Sequence, residues 1–322
     1  MKKIVVLDSF AAVSTDLSLD GLKKYCDSLE VYDRTDKKDI IDRIGNAEMV
    51  IVNKTVLTRD ILSQCKNVKF IGLFATGYNV IDIEYCKENS IVVSNAPAYS
   101  TNSVAQLVFA MMMQFFNLVN LHDEKVHKGD WENCKDFCFY DQRISELANK
   151  TIGIIGFGNI GKKVAKIAKA FDMNVLVYSR TKYPRYVCDQ LNFVSLDELL
   201  ANSDIVTIHC PLFPETIEMI NKETINKMKK TALLINTSRG GLINETDLAN
   251  ALNNQDIAGA CVDVVTVEPI ATTNPLLTAK NCIMTPHIAW ANKESRARLI
   301  EIVVKNVAAF VDDNPINNVA DF

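Results

Sequence analysis

The sequence predicts an α/β protein built from two doubly wound parallel sheets, and three observations carry that expectation. Short apolar, β-branched runs alternate with helical stretches along nearly the whole chain. The run T-I-G-I-I-G-F-G-N-I-G, Thr151–Gly161, joins a buried-strand pattern to a glycine turn and then to an amphipathic run, Lys162–Phe171. An arginine, an acid and a histidine follow directly after three separate strand-like runs in the second half.

Each glycine of the G-x-G-x-x-G has its own task. Gly156 makes the tight turn, Gly158 lets the backbone approach a pyrophosphate, and Gly161 lets the helix pack closely on the strand. The helix N-terminus then offers free N–H groups to phosphates. Alone, such a turn is a weak signal. Here a strand precedes it, a helix follows, and Val175–Tyr178 reads as the next strand, so a Rossmann-like, dinucleotide-binding domain is expected.

Composition bounds the rest. The chain has 322 residues, 48% hydrophobic and 23% charged, enough for two domains with sizeable cores. A net charge of −4 and no long basic run argue against a nucleic-acid partner. The opening M-K-K-I-V-V-L-D is too short an apolar run for a signal peptide and reads as a first strand ending in an acid. Val104–Val119, the longest apolar stretch, contains Gln106, Gln114 and Asn117 and is too short to span a bilayer, so no membrane partner is expected. Nine scattered cysteines suggest neither a disulfide framework nor a metal site and fit reduced thiols in a cytoplasm.

In chain order, strands are expected at Ile4–Leu7, Met49–Asn53, Lys69–Phe74 and Ile91–Ser94, forming a first, smaller unit. The turn A-T-G-Y-N, Ala75–Asn79, follows one of them and can offer backbone N–H groups to a small anion. Asn95 and Pro97 break this unit, and Ser103 with Gln106 has the capping-box spacing that starts the apolar helix. That helix, apolar nearly all round, must be buried in a domain or a subunit interface. His122–Ser145 reads as an irregular excursion. Its aromatic load (Trp131, Phe137, Phe139, Tyr140) calls for a partner subunit as cover, and a homodimer is expected.

Six further strands are expected at Ile152–Ile155, Val175–Tyr178, Ile205–Ile208, Ala232–Asn236, Gly259–Val262 and Cys282–Thr285. The last helical pattern, Lys293–Phe310, carries Leu299, Ile302, Val303, Val307 and Phe310 on one face and returns the chain to the first unit. The expected division is therefore a discontinuous substrate-binding domain, 1–99 and 292–322, and a dinucleotide-binding domain, 100–291.

Ligands of open α/β sheets bind at the carboxyl ends of the strands. The residues found there are Arg239 in T-S-R-G-G, Asp263 and Glu268 in D-V-V-T-V-E-P, and His287 in P-H-I-A-W. Singly, each has a bland explanation as a surface cation, a turn acid or a hydrogen-bonded core histidine. Jointly, at successive strand ends, they suggest a catalytic constellation.

With these motifs in view, the chain resembles the D-isomer-specific 2-hydroxyacid dehydrogenase family along almost its whole length. The resemblance rests on A-T-G-Y-N, Y-S-T-N-S-V-A-Q, N-K-T-I-G-I-I-G-F-G-N-I-G, H-C-P-L, N-T-S-R-G-G, D-V-V-T-V-E-P and P-H-I-A-W. A-T-G-Y-N together with W-E-N-C-K-D-F-C-F is most similar to the glycerate dehydrogenase and hydroxypyruvate reductase branch.

The resemblance implies an active site in the cleft between the two domains. It implies an NAD(P)-dependent enzyme that interconverts a small 2-oxo acid, such as glyoxylate or hydroxypyruvate, with the D-2-hydroxy acid. Arg239 would bind the substrate carboxylate and 2-oxygen, His287 would act as acid and base, and Glu268 would hold His287 in its protonated form. Ala75, Thr76 and Gly77 would grip the carboxylate through their backbone.

Cofactor contacts would come from Val104, Gly156, Gly158, Asn159, Ile160, Gly161, Ser179, Arg180, Thr181, His209, Cys210, Pro211, Thr216, Asn236, Thr237, Ser238, Asp263 and Ala289, with Asp263 orienting the nicotinamide carboxamide.

Three positions depart from the family pattern. Gln106 stands where many relatives have glutamate, and Ala289 where many have glycine. More consequentially, Ser179-Arg180-Thr181 replaces the acid that takes the ribose 2′-hydroxyl, so NADP(H) is expected over NAD(H). Two alternatives stay open: a non-catalytic NAD(P)(H)-sensing regulator of the same fold, or oxidation of another small anion such as a phosphonate.

Overall fold

The computed structural model describes residues 2–320; Met1, Asp321 and Phe322, assigned above to the first domain, lie outside the described residues. The chain divides into two compact units, Met1–Ser100 with Trp290–Phe322 and Thr101–Ala289. The divisions fall one and two residues from the sequence-based limits.

Unit 1 holds five parallel strands: β1 (Lys3–Val6), β2 (Ser28–Val31), β3 (Met49–Val52), β4 (Phe70–Leu73) and β5 (Val92–Ser94). Their order is β2-β1-β3-β4-β5. Four strands were expected. The addition, β2, is an edge strand with no buried residue, so its S-L-E-V carries no strong apolar signal. The central β3 and β4 are buried on both faces, which is why they read as continuous apolar runs. One face is closed by the helix Lys293–Val311, which buries Leu299, Val303 and Val307 against Ile4, Met49 and Phe70.

Unit 2 holds seven parallel strands: β6 (Thr151–Ile155), β7 (Asn174–Tyr178), β8 (Leu191–Phe193), β9 (Ile205–Ile208), β10 (Leu233–Asn236), β11 (Gly259–Val262) and β12 (Cys282–Met284). The order β12-β11-β10-β9-β6-β7-β8 reverses between β6 and β9. Six were expected; β8, a three-residue edge strand, is too short to announce itself by periodicity.

The long apolar helix runs Thr101–Asn117 rather than Val104–Val119. It stops at Leu118, which takes a left-handed conformation (φ 51°), and a second helix, Val119–His127, starts there. The first part of the supposed irregular excursion is therefore helical. Ser103 lies within the first helix instead of capping it, and its hydroxyl donates to the Ala289 carbonyl at 2.5 Å. The helix buries Val108, Met112 and Phe116 in unit 2's own core, so most of its apolar surface is covered without a partner. Among the described residues no single helix is long and apolar enough to cross a membrane; this helix and the next, bent by 54°, pass only as a pair by length and composition.

Candidate active site

The reversal in unit 2 opens a crevice at the carboxyl ends of β6 and β9, where doubly wound sheets take their ligands. Gly156 has φ +95°, and a Cβ on it would lie 2.7 Å from the backbone of His209 and Cys210. A Cβ on Gly161 would lie 2.2 Å from the Gly156 carbonyl oxygen. Both positions therefore require glycine. Gly158 has open space around it, leaving its backbone approachable. Asn159 and Ile160 open the helix Asn159–Ala170, whose first N–H groups have no intrahelical partner.

Two buried polar atoms at the neighbouring strand ends have no hydrogen-bond partner among the described residues. They are His209 Nδ1 and Thr237 Oγ1. His209 pairs its Nε2 with Thr207 Oγ1 at 2.9 Å, and burial pushes its pKa down, which keeps the ring neutral. Unsatisfied buried polar atoms are rare and cost stability unless a ligand or water completes them. A glycine cradle, a helix start and two incomplete polar atoms together fit a bound dinucleotide.

The other expected cofactor residues divide by what their side chains already do. Thr216 donates to the Pro211 carbonyl at 3.0 Å and accepts from Phe213 N–H at 2.8 Å, closing the loop after β9 that also carries Cys210. Asn236 donates to the Arg239 carbonyl at 2.8 Å and accepts from Ser238 N–H at 3.0 Å. Ser238 donates to the Ile208 carbonyl at 2.7 Å. These residues shape turns, so any cofactor contact from them would be made mainly by backbone. After β7, Ser179 and Thr181 flank Arg180, whose guanidinium carbon sits 5.2 Å from the centre of the Phe213 ring. Val104 and Ala289 are buried apolar wall, joined through the Ser103 bond.

At the ends of β11 and β12 the chain is pinned by Asp263, which is 1% exposed. Its carboxylate accepts from Thr285 Oγ1 at 2.6 Å, Ile288 N–H at 2.8 Å and Ala289 N–H at 2.9 Å. Burial raises its pKa, and those three donors work against the rise. His287, between the pinned residues, has φ 54° and donates its N–H to the Asp263 carbonyl at 2.8 Å. Its Nδ1 lies 2.7 Å from Glu268 Oε2, both side chains being only partly exposed. Arg239 is exposed and donates one bond, to the Ser238 carbonyl at 2.7 Å. The structure thus pairs Glu268 with His287 directly.

In unit 1 the turn after β4 is fixed by its carbonyls and one hydroxyl. Thr76 Oγ1 donates to the Ala96 carbonyl and Asn95 Nδ2 to the Thr76 carbonyl, each at 2.7 Å, and Ala96 N–H donates to the Ala75 carbonyl at 2.9 Å. No hydrogen bond from the N–H groups of Ala75, Thr76 or Gly77 is found among the described residues.

Residues 109–289 match the family model described as D-isomer specific 2-hydroxyacid dehydrogenase, NAD binding domain. The chain is 47% identical over 318 residues to a hydroxypyruvate reductase of Blautia hydrogenotrophica, covering 98% of each chain. It belongs to the D-isomer-specific 2-hydroxyacid dehydrogenase family. A glycerate dehydrogenase of Methylorubrum extorquens is 38% identical over 319 residues, again with 98% of each covered. Among solved structures, an acyclic imino acid reductase in complex with NADPH and D-Arg superposes with a TM-score of 0.86 at 30% identity, covering 98% of this chain and 99% of that one. As a member of the family, the protein is an oxidoreductase that interconverts 2-oxo and 2-hydroxy acids with a nicotinamide cofactor.

Two of this dehydrogenase's supporting residues were not anticipated from sequence. Thr285 looked like the last residue of a strand, yet its hydroxyl is a ligand of Asp263. Phe213 had no visible task, yet its ring faces Arg180. Neither carries a local signal, because each partner lies more than twenty residues away. The Asp263 arrangement yields a direct expectation. Asp263→Ala strands three donors at once and will lower stability by at least about 1–3 kcal/mol. A urea midpoint equal to wild type would show that water replaces the carboxylate there.

Proposed function

We propose that this dehydrogenase reduces hydroxypyruvate or glyoxylate to D-glycerate or glycolate, and runs the reverse, with Arg239, Glu268 and His287 as its catalytic residues. The observation that carries this reading is the 2.7 Å contact between Glu268 Oε2 and His287 Nδ1. With Nδ1 held by the carboxylate, Nε2 is the ring nitrogen left for the substrate oxygen. Glu268 fixes the direction of the ring, so His287 can give an Nε2 proton to a 2-oxo oxygen and recover it from a 2-hydroxyl. The Arg239 guanidinium, with most of its donors uncommitted, suits a bidentate grip on the substrate carboxylate. The bound nicotinamide supplies or takes the hydride.

The choice of substrate is supported by the names of the relatives at 47% and 38% identity. The Glu268–His287 pair supports turnover over a non-catalytic nucleotide sensor, which would have no use for an acid–base couple. Nine free cysteines support a cytoplasmic location.

His287→Ala is expected to lose about 10²- to 10⁴-fold in kcat while still binding cofactor, and Arg239→Lys to fail in both kcat and KM. Near-normal steady-state constants with hydroxypyruvate in either variant would sink the corresponding role.

The proposal extends to assembly. Trp131, Phe137 and Tyr140 are 54%, 90% and 66% exposed, and a homodimer formed through this segment of unit 2 would cover them. With the Thr101–Asn117 helix largely packed in its own unit, the aromatic segment is the stronger support. Analytical ultracentrifugation should give a dimer at micromolar concentration; a persistent monomer would refute it.

NADP(H) is the proposed cofactor. No acid stands in Ser179-Arg180-Thr181, and the Phe213 ring holds the Arg180 guanidinium near this strand end, available to a 2′-phosphate. Arg180→Ala should shift the ratio of kcat/KM for NADPH over NADH towards NADH. A wild-type preference for NADH, or an unchanged ratio in the variant, would exclude this role for Arg180.

A further inference from the structure

Glu268 stands on the loop that leaves β11 after Asp263 and reaches Asn274. Nothing in the loop is regular structure, so its shape depends on what holds it. Two contacts on either side of Glu268 end on one carboxylate. Thr266 N–H donates to Glu245 Oε1 at 2.6 Å, and Asn274 Nδ2 donates to Glu245 Oε2 at 2.8 Å.

Glu245 is the first residue of the helix Glu245–Asn254, whose N-cap, Asn244, accepts from Asp247 N–H at 3.0 Å. The carboxylate is therefore carried by a firmly started helix. Asn274 extends the restraint by accepting Leu276 N–H at 3.0 Å. On the other side the loop rests on Gly240, next to Arg239. A Cβ there would lie 1.9 Å from the Val265 carbonyl carbon and 2.3 Å from Thr266 N.

We infer that Glu245 is a positioning residue for the reaction, clamping both limbs of this loop so that Glu268 Oε2 meets His287 Nδ1. The inference rests on the catalytic roles proposed above for Glu268 and His287. An acid in the first turn of a helix is commonplace and gains a few tenths of a kcal/mol to about one from the helix dipole. That benefit needs no loop partner. Here each carboxylate oxygen takes a charge-assisted bond from a residue more than twenty positions away, one on each side of the catalytic acid. Glu245 touches no reacting atom; it acts through the place it gives Glu268.

The test is a double-mutant cycle on the full-length enzyme, with hydroxypyruvate as substrate and reduced-cofactor binding followed by fluorescence. Glu245→Ala should lower kcat by roughly 10- to 100-fold, the cost of a misplaced catalytic group, and leave the cofactor dissociation constant unchanged. Glu245→Gln keeps an acceptor for Thr266 N–H but turns a donor towards Asn274 Nδ2, so it should recover only part of the loss. In a Glu268→Gln background, adding Glu245→Ala should cost little more, because the group it positions is already disabled. If the alanine variant does not fold, Glu245→Asp, with its shorter reach, takes its place in the cycle and should show the same lack of additivity. Losses that multiply across the cycle, or a Glu245→Ala enzyme with wild-type kcat, would overturn the positioning role while leaving Glu268 catalytic. A fully active Glu268→Gln enzyme would instead remove the catalytic role of Glu268, and this inference with it.

Discussion

The end of unit 2 that carries Glu268 and His287 depends on one buried anion. Asp263 sits at the end of β11 with its carboxylate out of water, a position that would be prohibitive without compensation. Compensation comes from a hydroxyl and two backbone N–H groups that all belong to the stretch after β12. Because those donors are residues 285, 288 and 289, satisfying the charge fixes the path of the chain around residue 287. His287 sits within this pinned stretch with a positive φ, a conformation uncommon for a residue other than glycine. The same anchor reaches the long helix of this unit, since the Ala289 carbonyl accepts from Ser103. Satisfying one charge thus sets the direction of the imidazole and the start of the helix beside the cofactor edge.

What was legible in the sequence follows from how local each signal is. The glycine motif could be read because its constraints lie within a few residues: Gly161 is required by the carbonyl of Gly156, five positions earlier. The order of Arg239, Glu268 and His287 after successive strands was readable because buried parallel strands appear as uninterrupted apolar runs. The edge strands β2 and β8 were not, since neither is a fully buried apolar run and three or four residues give no period. The Ser103 spacing misled because the helix starts two residues earlier and the hydroxyl serves a carbonyl 186 residues away. Likewise, no pattern in the sequence could show that Phe213 faces Arg180, or that Asn236 and Ser238 spend their side chains on the turn that presents Arg239.

The two sheets follow one topological rule and use it differently. Each reverses its strand order once, between β1 and β3 in unit 1 and between β6 and β9 in unit 2. Such a reversal leaves backbone N–H groups at the carboxyl edge that suit an anion. In unit 1 the chain supplies that anion itself. Asp8, directly after β1, accepts from the N–H groups of Asn53, Lys54 and Thr55 at 2.6–2.7 Å. In unit 2 no side chain among the described residues does so: the glycine cradle is clear at Gly158, and His209 Nδ1 and Thr237 Oγ1 stay incomplete.

That contrast separates the two crevices despite their shared topology. A phosphate at the β1/β3 crevice would have to displace a carboxylate tethered to the same sheet, whose effective concentration no free ligand matches. At β6/β9 a phosphate meets N–H groups whose alternative partner is only water. The self-filled crevice has a structural return: it ties the turn after β3 to the end of β1 and braces the edge from which the Ala75–Gly77 turn also emerges. Unit 2 alone of the two crevices is thus left with the open cradle that a dinucleotide needs.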